Sequence, residues 1–157
     1  MRNLTISIII AIIAISFFGY SLSYAELSDK NVTIVDMKGR VGIIYEGSST
    51  LTPARAWMKL GSGDTINTSE DSYADLNFNG LGQTAVVRVD ENSSMKIDSY
   101  VAAEKMAETK IALDLAMGDI LVKANKLKDE SQFQVRTPTS IVGVRGTGFK
   151  VHVSSEE

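Results

Sequence analysis

The chain has 157 residues, of which 44% are hydrophobic, 22% are charged and two are proline, a composition typical of a folded globular protein. It contains no cysteine, which excludes disulfides, thiolate zinc sites and cysteine nucleophiles. The formal net charge of −3, with scattered basic residues, argues against nucleic acid as a partner, because phosphate binding requires clustered Lys and Arg.

The first 25 residues have the layout of a secretory signal peptide. Arg2 supplies a positive start, an apolar run extends over residues 4–18, and Ser23 and Ala25 place small residues before a predicted cleavage point. The alternative is an uncleaved membrane anchor, since residues 4–22 approach the roughly 20 residues that cross a bilayer. Both interpretations place a single domain, residues 26–157, in the periplasm or outside the cell.

Short runs of alternating apolar and polar residues follow from residue 31 onwards, separated by clusters of Gly, Asn, Asp and Ser. A period of two predicts half-buried strands joined by turns, and about ten such runs indicate an all-β domain with short strands. The predicted strands are 32–35, 41–45, 74–78, 84–89, 95–97, 111–115, 120–122, 133–135, 141–144 and 149–153.

One segment has a different local preference. Residues 101–110 are rich in Ala, Glu, Met and Lys, which favour helix. Because ten residues are marginal for an isolated helix, we predict a helical turn or a long connection between strands.

Two Gly-Asp pairs occur in similar surroundings, Gly63-Asp64 and Gly118-Asp119. This echo predicts two strand-turn-strand units, stacked as in a short solenoid or rolled onto each other. We expect each glycine to adopt a positive φ and each aspartate to accept hydrogen bonds from nearby backbone amides. The alternative roles, calcium binding or acid-base chemistry on a glycan, lack the spacing of a calcium loop.

A set of spaced motifs extends over residues 39–153. The most specific are Thr137-Pro138-Thr139 and Gly143-Val144-Arg145-Gly146-Thr147; the others include Gly39-x-Val41, Trp57-x-x-Leu60-x-x-Gly63-Asp64 and Leu115-x-x-Gly118-Asp119. Together they resemble the FecR family, the periplasmic β domain of iron-dicitrate-type signal transducers. The resemblance implies an extracytoplasmic binding or signalling module. Because the sequence shows no cytoplasmic anti-sigma segment and no second periplasmic domain, we expect a stand-alone secreted form.

Arg145 lies between two glycines, Gly143 and Gly146, among apolar strand residues. We expect its guanidinium to be partly buried beside close-packed backbone and to pair with Asp64 or Asp119, because an unpaired buried charge is strongly destabilising. The alternative is an arginine that binds a carboxylate or phosphate of a ligand.

The remaining candidates favour structural roles. His152 is the single histidine and lies on the polar side of an alternating strand, so it is expected to face water without catalytic or metal-binding partners. The aromatic residues Tyr45, Trp57, Tyr73 and Tyr100 are expected to fill the core or cover a sheet edge, and an aromatic platform for sugars or peptides is the alternative.

These observations predict a non-enzymatic module without a cofactor or metal that engages a protein partner or a cell-envelope polymer. The alternative is a structural β scaffold in an envelope assembly, because strand edges also template self-association. An enzyme acting on envelope glycans ranks last, since only scattered carboxylates support it. Contact with a membrane is expected only during export or through an uncleaved anchor.

Overall fold

The computed structural model describes residues 32–80, 82–102, 109–124, 132–144 and 148–154. Within these ranges the chain forms twelve strands and no helix, so the all-β prediction is confirmed. The predicted signal peptide lies outside the described residues. The strands are β1 (Val32–Lys38), β2 (Val41–Ile44), β3 (Leu51–Pro53), β4 (Lys59–Leu60), β5 (Thr65–Thr68), β6 (Tyr73–Gly80), β7 (Gly82–Val89), β8 (Ser94–Ala102), β9 (Thr109–Ala124), β10 (Gln132–Arg136), β11 (Ile141–Val144) and β12 (Gly148–Val153).

The strands form one curled, open sheet with two halves that share β9. The first half has the order β4-β1-β6-β7-β9-β12, and the second has the order β3-β2-β5-β8-β9-β10-β11. In the first half-sheet, β9 pairs through residues 118–124, and in the second it pairs through residues 109–117. This arrangement matches the rolled alternative of the predicted architecture.

Both half-sheets arise from long chain segments that bend at the same level. β1 continues into β2, β5 into β6 and β7 into β8, while β9 bends within one strand; neighbouring segments are antiparallel on both sides of the bend. We call this level the bend line and define it by residues 39–40, 69–72, 90–93 and 118–119. A meander of four long segments therefore folds over along the bend line.

Two turns of the bend line share the pattern Glu-Asp/Asn-Ser. The middle residues, Asp71 and Asn92, have φ values of 53° and 52°, a left-handed conformation that short polar side chains tolerate better than most. The hydroxyls of Ser72 and Ser93 donate to the carbonyl oxygens two residues earlier, over 2.9 and 3.0 Å. The repeated sequence therefore produces the same turn twice.

A glycine of the neighbouring segment faces each of these serines. The N–H groups of Arg40 and Asp119 donate to Ser72 Oγ and Ser93 Oγ, both over 2.9 Å. The preceding residues, Gly39 and Gly118, have φ values of 75° and 92°. A Cβ on either glycine would lie 2.2 Å from the serine oxygen, so the hydrogen bonds require glycine for both conformation and space.

The core lies between the two half-sheets. Phe78 of β6 meets Tyr100 of β8 edge to face at 5.5 Å between ring centroids, and Phe133 of β10 meets Phe149 of β12 at 6.2 Å. Along β9 the buried positions are 111, 113 and 115 before the bend and 120 and 122 after it. The bend thus changes the parity of the inward side chains and keeps one apolar face inside.

The predicted strands lie within observed strands except at Tyr45, which follows the end of β2, and residues 111–115 and 120–122 belong to one strand, β9. The helical alternative for residues 101–110 is wrong at both ends, where Ala102 pairs with Thr109 in the β8–β9 ladder; residues 103–108 lie outside the described ranges. Strand pairing overrides local helix propensity here. In the part of the chain that is described, no helix has the length and apolarity to cross a membrane.

Three glycines provide a matched test of the bend line. Gly118→Ala should lower the free energy of unfolding by about 2–3 kcal/mol, because it adds a steric overlap with Ser93 to the cost of a left-handed conformation. Gly47→Ala should cost only about 1 kcal/mol, since Gly47 has a φ of 72° and no atom within 4 Å of an added Cβ.

Gly143→Ala should be neutral to within about 0.5 kcal/mol, because Gly143 has neither a positive φ nor a close neighbour. Urea unfolding of the three variants measures the series. Equal costs for Gly118→Ala and Gly47→Ala would show that the contact with Ser93 contributes nothing.

Candidate functional site

Asp64 lies in the turn before β5 and is only 2% exposed. Its carboxylate accepts hydrogen bonds from the N–H groups of Glu46 and Gly61, both over 2.9 Å. Gly63, with a φ of 86°, donates its N–H to the carbonyl of Ile97, and Ile97 donates back to the carbonyl of Asp64. Gly63 and Asp64 therefore fasten this turn to β8, and the carboxylate is fully engaged with backbone amides.

Asp119 has a different environment from Asp64. It lies inside β9 on the bend line, and its Oδ1 is 3.1 Å from both Lys150 Nζ and His152 Nδ1 of β12. Burial alone would raise the pKa of Asp119, but hydrogen bonds from Lys150 and His152 outweigh burial and hold that pKa below its usual value. The carboxylate thus clamps β12 to the bend line.

The two Gly-Asp pairs therefore share a positive φ at glycine but not a common structural setting. Gly63-Asp64 precedes a strand, whereas Gly118-Asp119 lies within one, so the prediction of a strand-turn-strand unit is wrong for the second pair. The structural repeat is instead the pair of Glu-Asp/Asn-Ser turns at 70–72 and 91–93. The sequence carries a signal for this repeat, which is Glu, then Asp or Asn, then a serine before a strand. The sequence-based prediction overlooked that signal.

Thr137 and Pro138 belong to a tight turn between β10 and β11. The Thr137 N–H donates to the carbonyl of Ser140 over 2.8 Å, and the Ser140 N–H donates to Thr137 Oγ1 over 3.0 Å. The threonine side chain thereby closes the hairpin across the exposed proline. The Thr-Pro-Thr motif consequently fixes how β11 leaves β10.

Arg136, directly before this turn, organises the charges on the outer face of the second half-sheet. Its guanidinium pairs with Asp98 of β8 and with Asp114 of β9, the latter over 2.6 Å between Nε and Oδ1. The hydrogen bond to Asp114 is the main cause that raises the pKa of Arg136. Lys96 lies opposite Asp114 in the β8–β9 ladder, so the transverse row Lys96, Asp114, Arg136 alternates in charge.

A shallow depression of about 450 Å³ lies over this row, between Thr65 of β5 and Pro138. Its walls include Lys96, Asp114 and Arg136, so it offers charges of both signs to a ligand. Asp114 already accepts from the guanidinium, which leaves it no role as an isolated general base. Among the described residues, no group of three or more His, Asp or Glu side chains is placed to hold a metal ion.

The aromatic residues do not form a common platform. Tyr100 is buried, and Tyr73 stacks under Arg88 at 4.5 Å while its hydroxyl donates to Asp36 over 2.9 Å. The bond to Asp36 is the main cause that raises the pKa of Tyr73. Trp57 is 73% exposed, so the expectation that it fills the core or covers an edge is wrong. It lies in a turn before β4 and has a φ of 70°.

The segment around the predicted Arg145 site is described only in part. Gly143 is exposed, and no atom of the described residues lies within 4 Å of an added Cβ, so the expected close packing is not found at this glycine in the described part of the chain. Arg145, Gly146 and Thr147 lie outside the described residues. The carboxylates expected to pair with Arg145 have the partners given above.

β11 forms the outer edge of the second half-sheet, and no described strand pairs with its far side. Thr137 and Ser140 form a hydrogen-bonded pair, so the antiparallel alternation assigns Val142 and Val144 to bonds with β10. The N–H and C=O groups of Ile141 and Gly143 therefore point to the open edge. The Ile141 side chain is 70% exposed beside them.

A family model described as FecR protein matches residues 64–157, more than half of the chain. The chain belongs to the FecR family. FecR domains are signalling and regulatory modules of iron-transport signal transducers, are typically periplasmic there, and are not known as enzymes. No curated protein and no solved structure matches the chain.

The residues matched by the FecR model include strands of both half-sheets. The match begins at Asp64, the buried aspartate of the first turn, and includes the two Glu-Asp/Asn-Ser turns and the β10–β11 hairpin. The strands before it, β1 to β4, complete the same two half-sheets through β1–β6 and β2–β5 pairing. The FecR segment is thus one part of a single folded unit.

Asp64→Ala should lower the free energy of unfolding of this FecR domain by about 2–3 kcal/mol, because the N–H groups of Gly61 and Glu46 lose a buried acceptor. Urea unfolding measures the change. The control is Asp36→Ala at the surface, which should cost about 0.5 kcal/mol. A similar small cost for Asp64→Ala would contradict the anchoring role of its carboxylate.

Asp119→Asn should reduce stability by about 0.5–1 kcal/mol at neutral pH, a modest amount because Lys150 and His152 are more than half exposed. Since the pKa of Asp119 is below 3.8 in the folded chain, its contribution is complete above that value and is lost as the pH falls through the lower, folded-state pKa. Urea midpoints of both proteins should therefore converge in acid, at pH values below the folded-state pKa of Asp119. A difference that stays constant in acid would refute the clamp.

Proposed function

We propose that this FecR protein is an extracytoplasmic, non-enzymatic signalling module that binds a protein partner by adding an extended segment of that partner to β11. The open edge of β11 is the observation that carries the proposal. Strand addition derives affinity from main-chain hydrogen bonds and specificity from neighbouring side chains. Both requirements are met at this edge.

The backbone of β11 supports strand addition directly. Ile141 and Gly143 direct their N–H and C=O groups outwards, which gives an incoming strand two residues to pair with. Gly143 carries no side chain, which allows another backbone to approach closely at this position. Two other edges are blunted, because β4 has only two residues and β3 ends in Pro53. β12 is the remaining end strand among the described residues, and a crosslink formed at position 141 distinguishes β11 from it.

The outer face next to the edge supplies selectivity. Ile141 stands opposite Arg136 in the β10–β11 ladder and so extends the row Lys96, Asp114, Arg136 to the open edge. Cross-strand neighbours interact pairwise on one face of a sheet. A partner segment with an apolar residue opposite Ile141 and polar residues towards the depression fits this pattern.

Gly143→Pro should abolish partner binding, because proline removes the outward N–H while the bonds between β10 and β11 remain. We would place a photo-crosslinking amino acid at position 141 and analyse adducts formed in intact cells. A discrete adduct with another protein is expected in the parent chain and in Gly143→Ala, and it should be absent in Gly143→Pro.

Two results would contradict the proposal. One is an adduct that persists unchanged in Gly143→Pro, which would exclude backbone pairing at this edge. The other is an adduct with a second copy of this chain, accompanied by concentration-dependent light scattering of the purified protein, which would favour an envelope scaffold.

A further inference from the structure

The turn before β4 presents one large aromatic side chain to solvent. Trp57 is 73% exposed, yet its backbone is firmly held: its N–H donates to the carbonyl of Ile34 over 2.7 Å, and the carbonyl of Met58 accepts from the Ile34 N–H over 3.0 Å. The Arg55 N–H also contacts Met58 Sδ at 3.1 Å. The turn is therefore fastened to β1, and the tryptophan is displayed on a rigid base.

The backbone conformation at this position disfavours tryptophan. A φ of 70° is an outlier for a bulky residue, and it costs free energy that glycine or asparagine would avoid. The exposed ring contributes little burial to compensate. Strain that the fold does not require is a feature of functional sites, so the side chain needs a role outside the core.

The charges around Trp57 are exclusively positive along the chain. Residues 47–63 contain no Asp or Glu, although the whole chain has a net charge of −3. Arg55 and Lys59 flank Trp57 and are exposed, and Leu51 of β3, in the same segment, is 58% exposed. Tryptophan beside Lys and Arg is the composition of protein surfaces that lie at the headgroup level of anionic bilayers.

The turn also lies at the end of the domain where the chain arrives from its apolar N-terminal sequence. Lys59 is the ladder partner of Thr33, and Leu60 is that of Val32, the first described residue. Residues 26–31 separate Val32 from the first 25 residues and can extend at most roughly 20 Å. An N-terminal segment held in a membrane would therefore keep this turn close to the bilayer.

We propose that the turn Arg55–Lys59 is a bilayer-docking site, in which Trp57 enters the headgroup region of an anionic membrane while Arg55 and Lys59 contact lipid phosphates. The site is separate from β11, because β4 is an end strand of the first half-sheet and β11 an end strand of the second.

The chain contains one tryptophan, so its fluorescence reports Trp57 alone. The full chain would be mixed with vesicles of phosphatidylcholine containing one third phosphatidylglycerol, with bromine on the phosphatidylcholine acyl chains. We expect a blue shift and quenching of Trp57, both weakened by salt because surface charge attraction is screened. An N-terminal tether alone does not bring the ring to the brominated chains.

A charge-matched pair of variants tests the two cations. Arg55→Gln with Lys59→Gln should weaken vesicle binding by roughly 10- to 30-fold, given the usual contribution of each cation at an anionic surface. Lys38→Gln with Lys123→Gln removes the same charge from exposed positions on other strands and should leave the Trp57 signal unchanged. Equal weakening of vesicle binding by both pairs would show that net charge alone drives the interaction, and it would refute a specific site.

Trp57→Gly keeps the proposal testable by a second measurement, co-sedimentation with the same vesicles. This variant should sediment less than the parent chain, while its urea midpoint is not lowered, because glycine suits a φ of 70°. Undiminished sedimentation of Trp57→Gly, or a Trp57 emission that responds to soluble peptidoglycan fragments and not to vesicles, would overturn membrane docking.

Discussion

The bend line is stabilised by a hydrogen bond from a backbone N–H, that of the residue after a glycine, to a serine hydroxyl oxygen. Four long segments must bend at one level without losing hydrogen bonds, because an unpaired buried amide costs about as much as a lost hydrogen bond. Ser72 and Ser93 each accept a hydrogen bond from one of these amides. Gly39 and Gly118 make this possible, because a Cβ at either position would overlap the serine oxygen. The half-sheets, the core between them and the position of β12 all follow from this line.

Hydrophobic periodicity predicted most of the strands because most of them bury one face. β6, β7, β9 and β10 alternate buried and accessible positions, which is the pattern that the sequence contains. β3 and β4 were not predicted because they are edge strands of three and two residues, too short for an alternating pattern to be detected. The residues at 101–110 prefer helix in isolation, but the pairing of β8 with β9 extends into both ends of that segment.

The candidate site was harder to predict because polar turns carry no periodic signal. Asp64 and Gly63 were identified through turn chemistry, and the structure places them in such a turn. In the similar pair at 118–119, the Asp119 carboxylate instead accepts hydrogen bonds from Lys150 and His152 of β12. This difference depends on a tertiary neighbour, so the local sequence does not reveal it. Trp57 was expected in the core because most large aromatic side chains are buried there; only the fold reveals its exposed turn.

β9 has a consequence of its own, because it is the only described strand that belongs to both half-sheets. The β10–β11 hairpin is attached to its first half and β12 to its second half. The two attachments also touch each other, because Phe133 of β10 packs edge to face against Phe149 of β12. Ordering of the β10–β11 hairpin would therefore raise the free energy needed to open β12 locally, both through β9 and through this aromatic contact. By linkage, ordering of β12 would stabilise the hairpin by the same amount.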